Sequence, residues 1–562
     1  MSFFDDASLA FLPSGAAGKD GKAYSIKPTD GTGDFTFSRG SNLSATRISA
    51  NGLIEKGREN LLTYSNNFGT TWGDDGGIIA SGFEGYDGTN NAWKYTKTGQ
   101  FDGTWQSGLS ITGVHTISIY AKLPDGETDV NSLLFRIDYS GGNTNVVFSL
   151  TGDGVPSVGG NGIVADKINV GNGWFRCVLT LNQPTTKVNF RPSLGSSTSG
   201  TTGSIYIQDA QAEIGLAATE VIESGATTGK AGLLEDEPRF DYSGGATCPS
   251  LLLEPSRTNR CTLSEYFEGA GWLTIGSPTI TTNYGTSPEG VQNSTRIVFS
   301  TSNECIYDGI AYTSEEVSTI YVKGTSGETI KFGKGANIFV GTLFTLDGTW
   351  QRLEFVQSVS GNTFTINTSG GATARDIEVW GAQNEEGSYP TSYIPNHSGG
   401  TITRGADDCT GAGDASTFNS TEGVLYFEGE RLSLLGGKRT ISISDGSVNN
   451  YLYIQFQGVS NTIRIFYKTI EFGQVLLLNH NLSNELGLNK YAFKWSNNNF
   501  SLWINGTKEL EQLNGSTATS SVFSELNFAL GNGFDDFYGN VKQVLTFNTA
   551  LSDADLATLT TI

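Results

Sequence analysis

The segment GLLEDEPRFDYSGGATCPSLLLEPSRTN, Gly232–Asn259, decides how the chain divides, because similar sequence unfolds on either side of it. Downstream, NRCTLSEYFEGAGW (Asn259–Trp272) opens one β-rich stretch; far upstream, NLLTYSNNFGTTW (Asn60–Trp72) opens another with nearly the same signature. The correspondence then continues in order. STIYVK (Ser318–Lys323) answers SIYAK (Ser118–Lys122), DGTWQRLEF answers GNGWFRCVL, and IEVWGAQNEEGSYPTSYIP answers IYIQDAQAEIGLAATEVIE. Matching landmarks in matching order are the mark of internal duplication, so the chain carries two copies of one module.

Each copy reads as a β-sandwich. HTISIYAK places Ile117 and Ile119 on one face, and LLFRIDY places Phe135, Ile137 and Tyr139 on one face with Arg136 and Asp138 opposite. Period-two patterning broken by turn residues is what strands with one wetted face require. Composition agrees: 73 glycines, 11% aromatics and only 16% charged residues suit short half-buried strands joined by turns that need positive φ. At 562 residues the chain exceeds one hydrophobic core, and several domains are expected. A net charge of −22 repels phosphate backbones and anionic lipid, so neither nucleic acid nor a membrane is expected as a partner. The start, MSFFDDASLAFLPSG, has aspartates where a signal peptide needs basic residues, and no apolar run approaches membrane-spanning length. Synthesis and folding in a cytoplasm are expected. Cys177, Cys248, Cys261, Cys305 and Cys409 are odd in number and lack CxxC spacing, which points to reduced thiols rather than disulfides or a zinc site.

Residues 1–59 hold only short alternating pieces, GDFTF and ATRI, punctuated by Gly and Ser. That is too little to bury a core alone, and an extended attachment arm that docks on a partner or neighbour is expected. The expected divisions are thus an arm (1–59), a sandwich (60–223), a linking segment (224–258), a second sandwich (259–410) and a third unit (411–562). In the third unit Tyr491, Phe493 and Trp495 alternate up to the Asn497–Asn499 turn, then Phe500, Leu502 and Ile504 return before Asn505–Gly506.

ATRISANGLIE, PRFDYSGGATCPSLLLEPSRTN, WGAQNEEGSYPTSYIP and TITRGADD closely resemble a module set recurrent in tailed-bacteriophage virion proteins, where an arm precedes a jelly roll of the carbohydrate-binding-module kind. The finish, GNVKQVLTFNTALSDADLATL, resembles the last strand and short helix of concanavalin A-like, laminin G-type lectin domains, with Ser552 as N-cap and Asp553 and Asp555 favoured by the helix dipole. The resemblance implies an all-β chain: arm, two repeated jelly-roll sandwiches and a concanavalin A-like sandwich. It further implies a structural virion protein, a tail fibre or head fibre, that contacts other virion proteins through the arm, forms a homotrimer and presents sandwiches to a host-surface glycan. The alternatives are a head fibre or capsid decoration protein without a dedicated receptor role, and a polysaccharide depolymerase. One departure is visible. GLIE (Gly52–Glu55) and PRFDY (Pro238–Tyr242) are close neighbours in that module set, whereas here the first sandwich lies between them, as an inserted module would.

Catalytic signals are weak. His115, His397 and His480 each sit singly, and general-base work needs a positioned partner. There is no G-x-S-x-G elbow and no His-rich metal spacing. The nearest fragment to a glucanase carboxylate triplet, Glu127-Thr-Asp129, lacks the third acid. No catalytic residue, metal or cofactor is therefore expected, and the chain is not expected to be an enzyme. Sugar binding needs an aromatic platform plus Asn, Asp and Gln for hydroxyls. Platform candidates by residue type include Trp72 in the first sandwich and Trp272 and Tyr284 in the second, but Trp72, Trp272, Trp174 and Trp350 recur at equivalent places in both copies and are expected to pack cores. Trp93 and Trp105 have no evident counterpart, so they are the ligand candidates of the first sandwich. In the third unit the candidates are Trp503, opposite in parity to Leu502 and Ile504, and Asn532, Asp535, Asp536 and Tyr538 of the GNGFDDFYGN loop. That loop is expected to be a solvated one rather than a calcium site, and Glu235-Asp236-Glu237 a surface turn.

Overall fold

The structure, a computed structural model, describes residues 3–562 except 16–17, 41, 155, 157–161, 196–199, 312–314, 358–359, 371–373, 435–436, 459–460 and 484–485. It is all-β in architecture, as the alternation requires. In the first sandwich a six-stranded sheet runs Gly162–Gly171, Trp174–Leu181, His115–Lys122, Ser204–Ile214, Ala92–Thr96, Ile78–Phe83. Facing it, a five-stranded sheet runs Gly142–Ser149, Ser132–Tyr139, Thr185–Ser193, Thr104–Ile111, Gly73–Asp74. Ile117, Ile119, Phe135, Ile137, Val188 and Phe190 fill the space between, each at most 1% exposed.

The second sandwich repeats this plan. One sheet runs Thr279–Thr281, Thr295–Phe299, Arg375–Glu386, Glu316–Gly324, Gln351–Gln357, and the other Trp272–Ile275, Cys305–Gly309, Thr363–Asn367, Thr329–Gly335, Thr342–Thr345. The duplication extends to individual hydrogen bonds. Asn60 Nδ2 donates to the carbonyls of Ala210 (3.1 Å) and Ile222 (2.9 Å); Asn259 Nδ2 donates to those of Ala382 (3.2 Å) and Ile394 (2.8 Å). Glu213 accepts from the backbone and hydroxyl of Thr219, and Glu385 does the same for Thr391. Trp72 and Trp272 each donate to a carbonyl of their opening segment, Tyr64 and Leu263, and each is 8% exposed. Buried polar groups must be paired, so this frame is the part of the module that a duplicate cannot lose.

The third sandwich draws on both segments expected to lie outside it. Its eight-stranded sheet contains Gly539–Phe547, Gly423–Arg431, Asn489–Ser496, Asn499–Ile504 and Thr507–Gln512, and is extended by Ser250–Leu253, Arg239–Asp241 and Leu9–Phe11. The facing sheet runs Gly473–Asn481, Thr462–Thr469, Tyr451–Phe456, Arg439–Ser444, Glu525–Asn527. The arm, expected to dock on a partner or neighbour, docks on the C-terminal sandwich of its own chain: Leu9 pairs Thr546, and Phe37 pairs Cys409. Leu9, Phe11, Phe35 and Phe37 are at most 1% exposed in this core, with the Phe35 ring 5.1 Å from Phe528. Each such side chain stabilises the docked arm by about 1.5–3 kcal/mol. The arm's next hairpin, Thr46–Ile48 with Ile54–Lys56, lays Ile54 against Trp380 and Tyr393 of the second sandwich. The first sandwich enters and leaves through one ladder, Asn60 opposite Gly229, the geometry an inserted module needs.

Residues of the segments PRFDY, LLLEPSRTN and TITRGADD meet in a buried ionic knot. Arg239 reaches Glu254 and Asp407, Arg39 reaches Asp407 at 3.2 Å, and Arg404 reaches Glu254 at 2.7 Å. Burial alone would raise the Glu254 carboxyl, but Arg404 and Arg239 outweigh it and hold Glu254 down at about 2. Burial brings Arg39 down to about 10. Asp236 is more than a surface acid: the backbone N–H groups of Arg39 and Gly40 donate to it at 2.8 and 2.9 Å and lower its pKa.

Candidate functional site

Alternation on the five-stranded sheet of the first sandwich turns Phe135, Ile137, Val188 and Phe190 inward, so their neighbours point out. Strand register then lines up Gly73, Trp105, Asn189, Arg136 and Asn145 in one row, and Ser107, Lys187, Asp138 and Asn143 in the next. Gly73 matters here because a Cβ at that position would stand 2.3 Å from the Trp105 ring; without one, the indole lies across the strand. Asp75 ties the row together. It accepts from Trp105 Nε1 (2.9 Å), Asn189 Nδ2 (3.0 Å) and Arg191 Nη2 (3.1 Å). Arg136 pairs with Asp138 at 2.8 Å, and the Lys187 ammonium stands 3.9 Å from the centre of the Trp105 ring. Asn143 and Asn145 are exposed, while Trp105, Arg136, Asp138, Lys187 and Arg191 are half-buried. The result is an aromatic ring fixed within a field of amide, carboxylate and cationic groups, the aromatic and polar groups that sugar recognition requires.

The same face of the second sandwich is covered in part: Leu273 is 54% exposed and Tyr307 half-buried, while Thr365 and Gly333 are buried. There the matching row is Leu273, Tyr307, Thr365 and Gly333. The connection 336–341 folds back over the strand that carries Thr365: Thr365 Oγ1 donates to the Ile338 carbonyl (2.8 Å), Asn367 Nδ2 to that of Val340 (3.1 Å) and Ser369 Oγ to that of Phe339 (3.3 Å). Gly333 stands where the first copy has Arg136, and a Cβ there would meet Gly341 Cα at 2.4 Å. In the first copy the corresponding strands join through a tight turn at Ser140–Gly141, with Gly141 at φ +92°, and nothing described folds back.

Of the other predicted residues, Trp93 packs against the first core with its Nε1 bonded to the Asn66 carbonyl at 3.0 Å, away from the Trp105 row. Trp503 does lie on the opposite face from Leu502, but that face is covered: Trp503 is 7% exposed among Ala10, Tyr426, Leu556 and Leu559, under the C-terminal helix Asp553–Thr560. It offers no platform. Ser552 caps that helix by accepting from Asp555 N. In the Gly531–Asn540 loop, Asn532 is exposed, Asp535 accepts from Gln455 at 3.3 Å, and Tyr538 donates to Asp536 at 3.0 Å with Arg439 over its ring. Burial raises the Asp536 carboxyl despite that hydrogen bond. Tyr284 is 47% exposed beneath the Arg296 guanidinium. Among the described residues no group of three His, Cys, Asp or Glu side chains has metal-binding geometry.

A cavity of about 360 Å³ lies between the two sandwiches and the arm, lined by Leu43, Lys56, Arg58, Glu213, Ile214 and His397 among others. Beneath it Asn293 Nδ2 bridges Glu265 (3.1 Å) and Glu289 (3.0 Å), and Lys56 pairs with both. Burial would raise the Glu265 carboxyl, yet Lys56 and His397 hold it well below the ordinary range, the reverse of what a general acid needs. His115 is buried between the Gly113 carbonyl and Thr185, and burial lowers it to about 4.

No family model and no curated protein matches the sequence. Among solved structures, similar chains include the CBM40 module of the Ruminococcus gnavus IT-sialidase, 15% identical over 26% of this chain and 86% of that one, with a TM-score of 0.23. The CBM22-1–CBM22-2 tandem of Paenibacillus barcinonensis Xyn10C is 13% identical over 66% of this chain and 98% of that one, TM-score 0.22. Mouse laminin α1 domains LG4-5 are 8% identical over 45% of this chain and 90% of that one, TM-score 0.18. Likeness of that size bears on neither ligand nor mechanism, and the fold class stands on the strand pairing itself.

Proposed function

We propose that the chain is a glycan-binding structural protein of a tailed-bacteriophage virion, and that the face around Trp105 is where it holds sugar. The observation that carries the binding reading is Trp105, fixed by Asp75 on an uncovered sheet face among Asn143, Asn145, Arg136 and Asp138. A pyranose lays its C–H face on such a ring while amide and carboxylate groups take its hydroxyls. A single shallow face binds weakly, and several copies on one particle multiply that affinity through effective concentration; the homotrimer implied by the resemblance would supply three. The virion assignment rests on the motif resemblance alone. Because the arm is buried against its own C-terminal sandwich, attachment to the particle falls to other surfaces.

The test is labelled antibody on intact particles together with adsorption competition by the purified chain. Label at the tail and competition that Trp105→Ala abolishes support a receptor-binding fibre. Label on the head with adsorption unaffected overturns the receptor role and leaves a capsid appendage.

A further inference from the structure

We infer that the glycan held at this face is anionic, carrying a carboxylate, and that Lys187 is the residue that pairs with it; the inference rests on the glycan reading above. Three cations, Arg136, Lys187 and Arg191, share the face with two carboxylates, Asp75 and Asp138. The face is therefore net positive on a chain of net charge −22. Both carboxylates are taken: Arg136 binds Asp138 at 2.8 Å, and Arg191 binds Asp75 at 3.1 Å. Lys187 makes no ion pair among the described residues, and its ammonium rests instead over the Trp105 ring at 3.9 Å. Arg191 also leaves its Nε buried without a hydrogen-bond partner among the described residues, so the positive side of this face is under-used by the protein itself.

A sugar placed on Trp105 would take the space that the ammonium now fills, so Lys187 must swing aside as the ligand arrives. A cation–π contact between half-buried groups at a sheet surface is weak enough to exchange. A neutral sugar gives the displaced ammonium nothing in return, whereas a carboxylate on the ring offers a charge-assisted hydrogen bond beside the platform. The second sandwich carries no such arrangement, since Gly333 replaces Arg136 and the 336–341 connection covers the strand of Thr365.

Titration calorimetry of the full chain against two matched pairs tests this: oligogalacturonate with its carboxyl-reduced galacto-oligomer, and sialyllactose with lactose. Preference within the first pair identifies a uronate, within the second a nonulosonate. The expected result is that the acidic member of one pair binds about tenfold more tightly than its neutral partner, and that added salt narrows the gap. Lys187→Met should abolish the preference while weak neutral binding remains, and Lys187→Arg should keep it. Equal binding of acidic and neutral members overturns the inference and leaves the glycan reading standing. A preference that survives Lys187→Met overturns the role of Lys187. Failure of all four probes to bind overturns both the inference and the reading beneath it.

Discussion

The two sandwiches share a buried hydrogen-bond frame and differ in what lies over one sheet. In the first, Asn189 and Arg136 follow Trp105 across an open face; in the second, Thr365 and Gly333 follow Tyr307, and the 336–341 connection is bonded over the Thr365 strand. The frame is held by Asn60 and Asn259, each of which is fully buried and donates to two backbone carbonyls of its module. The connection between two edge strands differs. The first copy has a tight turn there and the second has six residues, whose carbonyls bond to the strand of Thr365.

The largest effects should come from breaking what the copies share. Asn60→Ala and Asn259→Ala each strand buried carbonyls and N–H groups, and each should cost roughly 2–4 kcal/mol. Hydrogen exchange should show the loss confined to the altered copy and similar in size between the two. A large effect in one copy alone would mean the frames are not equivalent.

Next in size is Gly333→Arg, which gives the second copy the residue of the first. The added side chain displaces the 336–341 connection at a cost of about 1–3 kcal/mol, whereas Arg136→Gly in the first copy should cost less than about 1 kcal/mol. Limited proteolysis should cut Gly333→Arg faster within 336–341; an unchanged pattern would mean that the close approach at Gly333 is not what holds the connection down.

A smaller difference sits at a matched β-bulge. Asp209 has φ +51° where the second copy has Gly381 at φ +65°. A non-glycine residue there is strained by about 1 kcal/mol. Burial also raises the Asp209 carboxyl from 3.8 to about 6, against the hydrogen bond from Tyr86. The folded state thus favours the protonated acid, so this stabilisation is full below about pH 4 and disappears as pH rises through about 6. Asp209→Gly should therefore raise the melting temperature, and by more at pH 7 than at pH 4. An equal gain at both would remove ionisation from the explanation.

How far the sequence could be read follows from the range of each signal. Period-two alternation in LLFRIDY put Arg136 and Asp138 on the outer face correctly, because that depends on adjacent residues alone. The duplication was legible in order and spacing. The arm was not: Leu9 pairs Thr546 and Arg39 reaches Asp407, partners that no local pattern connects. Trp105 was singled out by residue type, but Asp75, Lys187, Asn189 and Arg191, which stand beside it in the structure, were not, since which strands are neighbours is decided by the tertiary fold. Trp503 shows the same limit from the other side. Its parity placed it on the right face, and only the packing of the chain's end, through Leu556 and Leu559, revealed that the face is covered.

The most direct test of the account is the stoichiometry of glycan binding to the full chain, measured by calorimetry for the native protein, Trp105→Ala and Tyr307→Ala. One site per chain, lost in Trp105→Ala and kept in Tyr307→Ala, is the predicted result. Two sites per chain, or binding that survives Trp105→Ala, would contradict the division of the copies into one open and one covered in part.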